Sequence, residues 1–313
     1  MNRSEAVPAL AGPSSWSEAE DAPRQRDQLN RFELPSVPGS YRWYYVDVAA
    51  GDFTAVIIFM IGSIFSPRYS SALKRGAGPR QHAAVNFALY ERGIRRHWVL
   101  SEYQRVEADH RTLRIGRSSM HLTPGGKLVV DLVDSTALWG RPVEVHVELT
   151  REGPGHEPIR LVKDLEHWWH LIAPRARATL SMRGLELEGR GYHDGNHGEV
   201  PLGSDLRGWN WVRTHAADRT TITYRPSDSG TAWQVEVDAR SLALRQLPAS
   251  RLPFDRTKWG LAVPKILSGK LLESSPFYAR LEAGSALAEV ADFQRFHSPW
   301  IRWMAGLRTR VIP

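Results

Sequence analysis

Reactive side chains are most densely gathered between Gly189 and Pro201, in the sequence GRGYHDGNHGEVP. The segment combines carboxyl, imidazole, phenol and amide groups, all of which can exchange protons or form hydrogen bonds with a ligand. Glycines are interspersed among them, and a glycine lets the backbone approach a ligand closely. The residue types therefore make this segment the leading candidate for a functional site.

Two other interpretations of the same segment stay open. Asp194 and Asn196 are typical of a polar turn, in which their side chains bond to their own backbone. His193 and His197 are four residues apart, a spacing that on a helix presents two imidazoles to one metal ion and would suit a metal-dependent hydrolase. Glycines on either side argue against a helix here.

Further aromatic and imidazole groups occur in the run HWWH at 167–170. This run is interpreted either as a pocket lining or as alternating core residues of a strand. The sequence contains no G-x-S-x-G nucleophile elbow, P-loop or dinucleotide-binding fingerprint. Ser63 lies in Gly-Ser-Ile-Phe-Ser, which lacks the final glycine of such an elbow, so we expect a structural role for it.

Short apolar runs separated by Gly, Pro, Asp or Asn predict a chain built mainly of β-strands. From Val143 to Leu149, apolar residues alternate with Glu144, His146 and Glu148, which is the period of a half-buried strand. Comparable strands are predicted at 41–46, 83–90, 96–100, 127–132, 179–182, 185–187, 209–213, 221–224 and 233–237. Their spacing favours a sandwich or barrel architecture. One stretch, 285–296, is predicted to be helical.

Residues 151–157 (REGPGHE) are rich in Gly, Pro and charge and are the best candidate for a domain boundary. We therefore predict two β-domains, at 31–155 and 156–313. The preceding residues 1–30 are polar, with Pro, Ser and acidic side chains, and this composition is typical of disordered chain.

Composition narrows the functional classes. The 313 residues include 12 Trp and no Cys, and the formal net charge is +7. Without cysteine there are no disulfides and no thiolate-bound zinc or iron–sulfur sites, which fits a reducing cytoplasm. The basic residues are scattered and no nucleic-acid-binding motif is present, so no nucleic-acid partner is expected. The apolar run 53–66 is shorter than the ~20 residues of a membrane-spanning helix and is predicted to be a buried strand.

An ordered series of short motifs resembles the carotenoid 1,2-hydratases, also called hydroxyneurosporene synthases. The resemblance begins at about Tyr41 and extends to the C-terminus. The motifs are YYVD at 44–47, IGSIFSPRY at 61–69, NFALY at 86–90, IAPR at 172–175, GYHDGN at 191–196, WNW at 209–211, PFYAR at 276–280 and RFHSPW at 295–300. Each motif is short, and their shared order is what makes the resemblance specific.

The resemblance implies two lipocalin-like antiparallel β-barrel or sandwich domains with a short C-terminal helical segment. It also implies cofactor-independent hydration of the terminal C1=C2 bond of an acyclic carotenoid such as neurosporene or lycopene. The family's catalytic aspartate maps onto Asp194, and we expect Tyr192 and Asn196 to support it. Aromatic residues expected to contact the polyene are Trp43, Tyr45, Trp169, Trp209, Trp211 and Tyr278.

Hydration of a trisubstituted alkene requires an acid that protonates carbon, and water then captures the tertiary carbocation. A buried aspartate suits this role because desolvation keeps it protonated. A lipid-soluble substrate and the aromatic and basic residues at 300–310 favour a cytoplasmic enzyme with peripheral contact to the inner membrane. Two alternatives remain: a related enzyme acting on another polyene or terpenoid, such as a pericyclase, and a non-catalytic lipocalin-like carrier.

Overall fold

The computed structural model describes residues 17–18, 31–63, 65–227, 229–249, 254–265 and 269–313, and most of them lie in β-strands. The strands, numbered in chain order, are β1 (Ser17–Glu18), β2 (Tyr41–Ala50), β3 (Phe53–Ile61), β4 (Ala83–Glu91), β5 (Ile94–Tyr103), β6 (Val106–Ala108), β7 (Thr112–Ile115), β8 (Ser118–Leu122), β9 (Leu128–Ser135), β10 (Pro142–Arg151), β11 (His156–Arg160), β12 (His167–Met182), β13 (Leu185–Gly198), β14 (Gly208–His215), β15 (Thr220–Pro226), β16 (Thr231–Val237), β17 (Leu242–Pro248), β18 (Phe254–Arg256), β19 (Ala262–Pro264), β20 (Lys270–Ser274), β21 (Tyr278–Ala283), β22 (Ala286–Asp292) and β23 (Arg310–Ile312).

A 13-stranded sheet contains the strands from β2 to β13 and the C-terminal β23. Their order is β23-β5-β4-β3-β2-β13-β12-β10-β9-β8-β7-β6, with β11 paired to β12. Neighbouring strands are antiparallel except for the parallel pair of β23 and β5. The sheet curls back on itself, since β5 and β9 are separated by several strands in this order and yet are in contact. Ser101 and Tyr103 on β5 each donate a hydrogen bond of 2.9 Å to Asp134 on β9. One hydrophobic cluster fills the inside of this curl and includes both Phe87 of β4 and Leu113 of β7.

An 8-stranded antiparallel sheet follows, in the order β1-β17-β16-β15-β14-β22-β21-β20, and β18 and β19 form a separate pair. The chain passes from the larger sheet to this one between β13 and β14, so residue 155 lies within a single sheet. The division into domains at 155 stays a prediction. The predicted disorder of residues 1–30 falls outside the described residues, apart from the two residues of β1.

A second hydrophobic cluster fills the space between the two large sheets. Strands β2 and β3 are therefore buried on both faces, one against the curl interior and one against the smaller sheet. Burial on both faces explains why their sequences are nearly continuous apolar runs rather than alternating ones. Side chains on the inter-sheet face recur at every second residue, as on β2 at Tyr41, Trp43 and Tyr45.

Two short α-helices lie outside the sheets, α1 (Pro67–Leu73) and α2 (Pro299–Arg308), and single 3-10 turns span Pro79–Gln81 and Arg295–His297. Helix α1 begins directly after Ser66, the last residue of the apolar run 53–66. The Ser66 hydroxyl caps the helix N-terminus by accepting a hydrogen bond of 3.1 Å from the Tyr69 amide. Neither α-helix has the length and apolar character that a bilayer-spanning helix requires in the described part of the chain.

The predicted mostly-β fold of antiparallel sheets with a short C-terminal helix is confirmed, and every strand predicted from the apolar runs is a strand. The helix predicted at 285–296 is wrong, because β22 occupies 286–292 and the C-terminal helix begins only at Pro299. Ala, Leu and Glu have high helix propensity, but here pairing with β14 and β21 overrides it.

Candidate active site

The glycine-flanked segment at 191–196 is the central part of β13, with β2 on one side and β12 on the other. Asp194 is directly opposite Tyr45 of β2 and Leu171 of β12. The interpretation of this segment as a polar turn is therefore wrong. Because side chains alternate along a strand, Tyr192, Asp194 and Asn196 share the face that looks toward the smaller sheet.

The aromatic residues expected to contact substrate lie on this same face or opposite it, in or against the inter-sheet cluster. They come from β2, β12, β14 and β21, and they are Trp43, Tyr45, Trp169, Trp209, Trp211 and Tyr278. Tyr45 packs edge-on against Tyr192 and Trp211, with ring centroids 6.0 and 5.5 Å apart. Trp43 stacks on Trp209 at 5.4 Å. The structure thus gathers the predicted site residues in one place, while their roles remain predictions.

Asp194 is buried and accepts both of its hydrogen bonds on one oxygen. Its Oδ2 accepts from the Tyr192 hydroxyl at 2.7 Å and from the Trp169 indole N–H at 2.8 Å. Its Oδ1 is buried without a hydrogen-bond partner among the described residues. Burial raises the pKa of the Asp194 carboxyl to about 7; the two hydrogen bonds oppose this rise, and the charges of Glu289 and Asp47 add to it. Since two donors occupy Oδ2, the proton that this pKa retains near neutrality belongs on Oδ1.

Other buried polar atoms on these facing strands also lack partners in the described chain. They are Oδ1 of Asn196, Nε1 of Trp211 and the hydroxyl of Tyr278. An unpartnered buried polar group costs about 1–3 kcal/mol, so several of them together are typical of a site that binds a ligand or water. Asn196 is two residues from Asp194 on the same face, where its amide is suited to hold a water molecule beside the acid.

A hydrogen-bonded bridge joins the two sheets next to the acid. The hydroxyl of Tyr45 donates to Glu289 Oε1 on β22 at 3.0 Å, and the Arg280 guanidinium donates to the same oxygen at 2.8 Å. Arg280 also donates to the Tyr90 hydroxyl at 2.9 Å and contacts Glu273 at 3.2 Å. Arg280 and Glu289 are buried, which places a guanidinium and a carboxylate beside the aromatic interior.

Asp47 and Arg213 form a second buried ion pair across the sheets, with the guanidinium donating from two nitrogens to the two carboxylate oxygens. Sequence reasoning missed both residues, as well as Glu289 and Arg280. The signal was present in the period of two, because Asp47 follows Tyr45 and Arg213 follows Trp211 at that spacing. A charged residue that continues a buried aromatic row must find a buried partner.

His193 and His197 point away from this site, on the other face of β13. His193 Nδ1 donates to the backbone oxygen of Tyr45 at 2.8 Å, and burial lowers the pKa of its imidazole to about 4. His197 stacks on Trp168 at 6.2 Å. Four residues of strand separate the two backbones by about 13 Å, too far to share one metal ion. No cluster of three metal-binding side chains occurs among the described residues, so the metal-site interpretation is not supported.

The run 167–170 divides between the two faces of β12. His167 and Trp169 face the smaller sheet, where His167 contacts the Tyr41 hydroxyl and lies 3.3 Å from that of Tyr224. Burial lowers the pKa of the His167 imidazole to about 3, so it is neutral at physiological pH. The interpretation of the run as alternating residues of a strand is therefore confirmed, and a role in lining a pocket stays a prediction.

A buried acid within an aromatic interior between two large sheets defines a candidate enzyme for apolar substrates. Comparison of the sequence with known proteins identifies the family. The family described as Carotenoid hydratase CrtC matches residues 56–311. The acyclic carotenoid 1,2-hydratase of Thiocapsa roseopersicina is 30% identical over 303 residues, covering 89% of this chain and 75% of that protein. The acyclic carotenoid 1,2-hydratase of Rubrivivax gelatinosus is 29% identical, covering 82% and 68%. Kievitone hydratase from Nectria haematococca, a solved structure, has a TM-score of 0.48 at 10% identity, covering 83% and 90%. The chain belongs to the carotenoid hydratase family, and its similarity to these carotenoid hydratases supports a hydro-lyase.

Proposed function

We propose that this chain adds water to the terminal C1=C2 double bond of an acyclic carotenoid of the neurosporene or lycopene type, with Asp194 as the general acid. The observation that carries the proposal is the buried Asp194 carboxyl, which lies in an aromatic interior with a pKa near neutrality and with one oxygen that has no partner among the described residues. Family membership supports the reaction class.

In the first step, the proton on Asp194 Oδ1 moves to C2 of the alkene, and the π electrons form the new C–H bond. C1 becomes a tertiary carbocation and Asp194 becomes a carboxylate. The faces of Tyr45 and Trp211 lie within this interior, and each aromatic face stabilises a nearby cation by about 0.5–2 kcal/mol. The hydrogen bonds from Tyr192 and Trp169 stabilise the carboxylate as it forms.

In the second step, the oxygen of a water molecule bonds to C1. The resulting oxonium ion loses one proton to Asp194, which returns the acid to its starting form and leaves the tertiary alcohol. Asn196 is suited to orient this water because its Oδ1 is a buried acceptor without a partner in the described chain. The surrounding apolar cluster excludes further water, which would compete for the cation.

The substrate dissolves only in lipid, so we also propose that the enzyme works at the surface of a membrane. Support comes from Trp300 and Trp303 of α2, which are 61% and 55% exposed. Exposed tryptophans beside basic residues are typical of proteins that bind the membrane interface.

The decisive test is Asp194→Asn in cells that produce lycopene or neurosporene, with products separated and weighed by mass spectrometry. Wild type should yield a product heavier by one water. Asn keeps the shape of the side chain and accepts hydrogen bonds but has no acidic proton, so hydration should fall at least ~100-fold. The purified variant should still bind the polyene, as judged by the absorption spectrum of bound pigment. Undiminished hydration would rule Asp194 out as the acid, and binding without product in the wild type would favour a carrier.

A further inference from the structure

Helices α1 and α2 contact each other and form an exposed apolar surface, which we call the α1–α2 face. Trp300 and Trp303 stack with ring centroids 4.9 Å apart, and Leu307, one turn further along, is 65% exposed. A groove of about 280 Å³ between the helices is lined by Pro67 of α1 and by Trp303 and Leu307 of α2. Large exposed aromatic side chains in contact with one another mark an interaction surface.

Exposed charge on the two helices has one sign, because Glu102, which also lines the groove, is buried and bonded to Ser66 and His82. The chain segments 63–82 and 293–313, which contain the two helices, have no Asp or Glu. Their basic residues are Arg68, Lys74, Arg75, Arg80, Arg295, Arg302, Arg308 and Arg310. Of these, Arg68, Lys74, Arg75 and Arg308 are exposed on the helices or directly after them. Exposed tryptophans within a basic rim complement the surface of an anionic bilayer.

A cavity of about 250 Å³ lies at the inner edge of the α1–α2 face. Its lining combines Ser70 and Leu73 of α1, Arg302 of α2, and three buried residues of the inter-sheet cluster or its rim, Tyr41, Phe293 and Phe296. The cavity therefore touches the helical surface on one side and the aromatic interior on the other.

Two rows of rings lead from this cavity toward the acid. On β2 the row runs from Tyr41 to Trp43, 5.5 Å apart, and on to Tyr45. Facing it, Phe293 lies 4.9 Å from Trp209, which stacks on Trp43. Tyr45 is the residue directly opposite Asp194. Four residues of strand place the cavity about 13 Å from the acid, a distance that an extended polyene chain spans with its terminal double bond at Asp194.

We propose that the cavity at Tyr41 and Phe293 is the mouth through which the polyene passes between lipid and the acid, and that the α1–α2 face holds this mouth against an anionic membrane. This proposal rests on the proposed function for the identity of the polyene. The substrate enters end first between the two rows, and its passage separates the Trp43 and Trp209 rings that stack at 5.4 Å in this structure. Only one end of the molecule then reaches Asp194 at a time.

The membrane arm of the proposal is tested by sedimentation with vesicles of phosphatidylglycerol or phosphatidylcholine. Wild type should bind the anionic vesicles at low salt and be released as salt is raised. The double variant Trp300→Ala, Trp303→Ala should bind at least tenfold more weakly. Ile94→Ala is the matched control, because Ile94 is also 58% exposed but begins β5 some ~30 Å from the end that pairs with β23. Equal binding of wild type and the double variant would overturn the membrane arm, whatever the reaction proves to be.

The mouth is tested by blocking it after folding. The chain has no cysteine, so Ser70→Cys and Ser285→Cys each introduce a single thiol for a bulky maleimide. Ser70 lines the cavity. Ser285 is exposed in the turn between β21 and β22, and the opposite end of β22 leads to Phe293 of the cavity. Labelled Ser70→Cys should lose polyene uptake at least tenfold, by absorbance of bound pigment, while labelled Ser285→Cys keeps it.

Uptake at the unlabelled rate after modification at position 70, or failure of that thiol to react in the folded protein, would overturn the mouth. Pigment uptake is measured without turnover, so this result does not depend on hydration. If the label at position 70 blocks polyene uptake but the unlabelled protein makes no alcohol, the proposed function is contradicted and the proposed entry site is still supported.

Discussion

The two oxygens of the Asp194 carboxyl have different roles. Oδ2 accepts two hydrogen bonds, which hold the side chain in one orientation, while Oδ1 is left to carry the proton. Burial alone would push the pKa higher still, and the donors from Tyr192 and Trp169 bring it back to about 7. The site thus balances two needs, since the acid must be protonated at rest and its carboxylate must be tolerable once the proton has left.

This balance predicts the pH dependence of the reaction. The acid form is the active one, so kcat/KM should be flat below about pH 7 and fall tenfold per pH unit above it. Tyr192→Phe removes a hydrogen bond that favours the carboxylate, and the descending limb should move to higher pH. Pre-steady-state or initial-rate measurements on vesicle-bound substrate across this range provide the check.

A second variant should shift the descending limb of the kcat/KM profile in the direction opposite to that of Tyr192→Phe. Glu289→Gln removes a negative charge that raises the pKa of Asp194, so the limb should move to lower pH. Other ionisable groups around Asp194 on the packed strands are Asp47, Tyr45, Arg213, Tyr224, Tyr278 and Arg280. A profile that both variants leave in place would mean that another group governs the limb.

Titration of the Asp194 carboxyl should lower the free energy of unfolding as pH rises. Its pKa of about 7 in the folded chain exceeds the ordinary value of 3.8. Its stabilising contribution is therefore complete below about pH 4 and is lost progressively up to about pH 7. Asp194→Asn has no proton to lose, so its free energy of unfolding relative to wild type should increase across this window by on the order of 4 kcal/mol. Urea denaturation from about pH 4 to 8 measures the difference, and a pH-independent difference would contradict a raised pKa.

At the scale of the element, strand β13 is unusually rich in glycine, and its glycines differ in how much space surrounds them. A Cβ added at Gly198 would lie 2.5 Å from the Glu166 carbonyl oxygen and from the Tyr41 hydroxyl. A Cβ at Gly195 would meet nothing nearer than 3.4 Å. Gly198 therefore allows the close approach of β12 and Tyr41, whereas Gly195 tolerates a larger residue.

We expect Gly198→Ala to cost about 1–3 kcal/mol in the free energy of unfolding, because the backbone carbonyl of Glu166, the residue before β12, must move. Gly195→Ala on the same strand should change stability little and serves as its control. Thermal or urea unfolding of the two variants makes the comparison. Equal stability of the two would show that the strand relaxes around either methyl group.

At the scale of the whole molecule, the two large sheets are joined by an aromatic cluster and by buried ion pairs. Asp47 of β2 and Arg213 of β14 are 0% and 1% exposed at their side chains, and Arg213 also donates to the Ser285 carbonyl oxygen at 2.8 Å. Burial dominates the Asp47 carboxyl and raises its pKa to about 6 despite the adjacent guanidinium. Removing either partner would leave the other charge buried alone.

Asp47→Ala should therefore lower the free energy of unfolding by about 3–5 kcal/mol. The control is Asp52→Ala on the adjacent turn, where Asp52 pairs with Arg92 at 2.8 Å on the surface. Solvent screens that pair, so its loss should leave the denaturation midpoint nearly unchanged. A similar effect of both substitutions would indicate that the sheets do not depend on the buried pair.

By itself the sequence determined the mostly-β class, the positions of many of the strands and the family, because apolar period and motif order are local properties of the chain. It also singled out Asp194, but with a turn and a metal site as open alternatives. Tertiary structure decided between them: β13 pairs with β2 and β12, which directs Asp194 into the aromatic interior and His193 away from it. The buried charges around this interior, Arg213, Arg280 and Glu289, come from strands 19 to 95 residues beyond Asp194. The period of two marks Arg213 as a buried charge, but local patterns cannot show which residues these side chains contact, because only the packing of one sheet on the other brings them together.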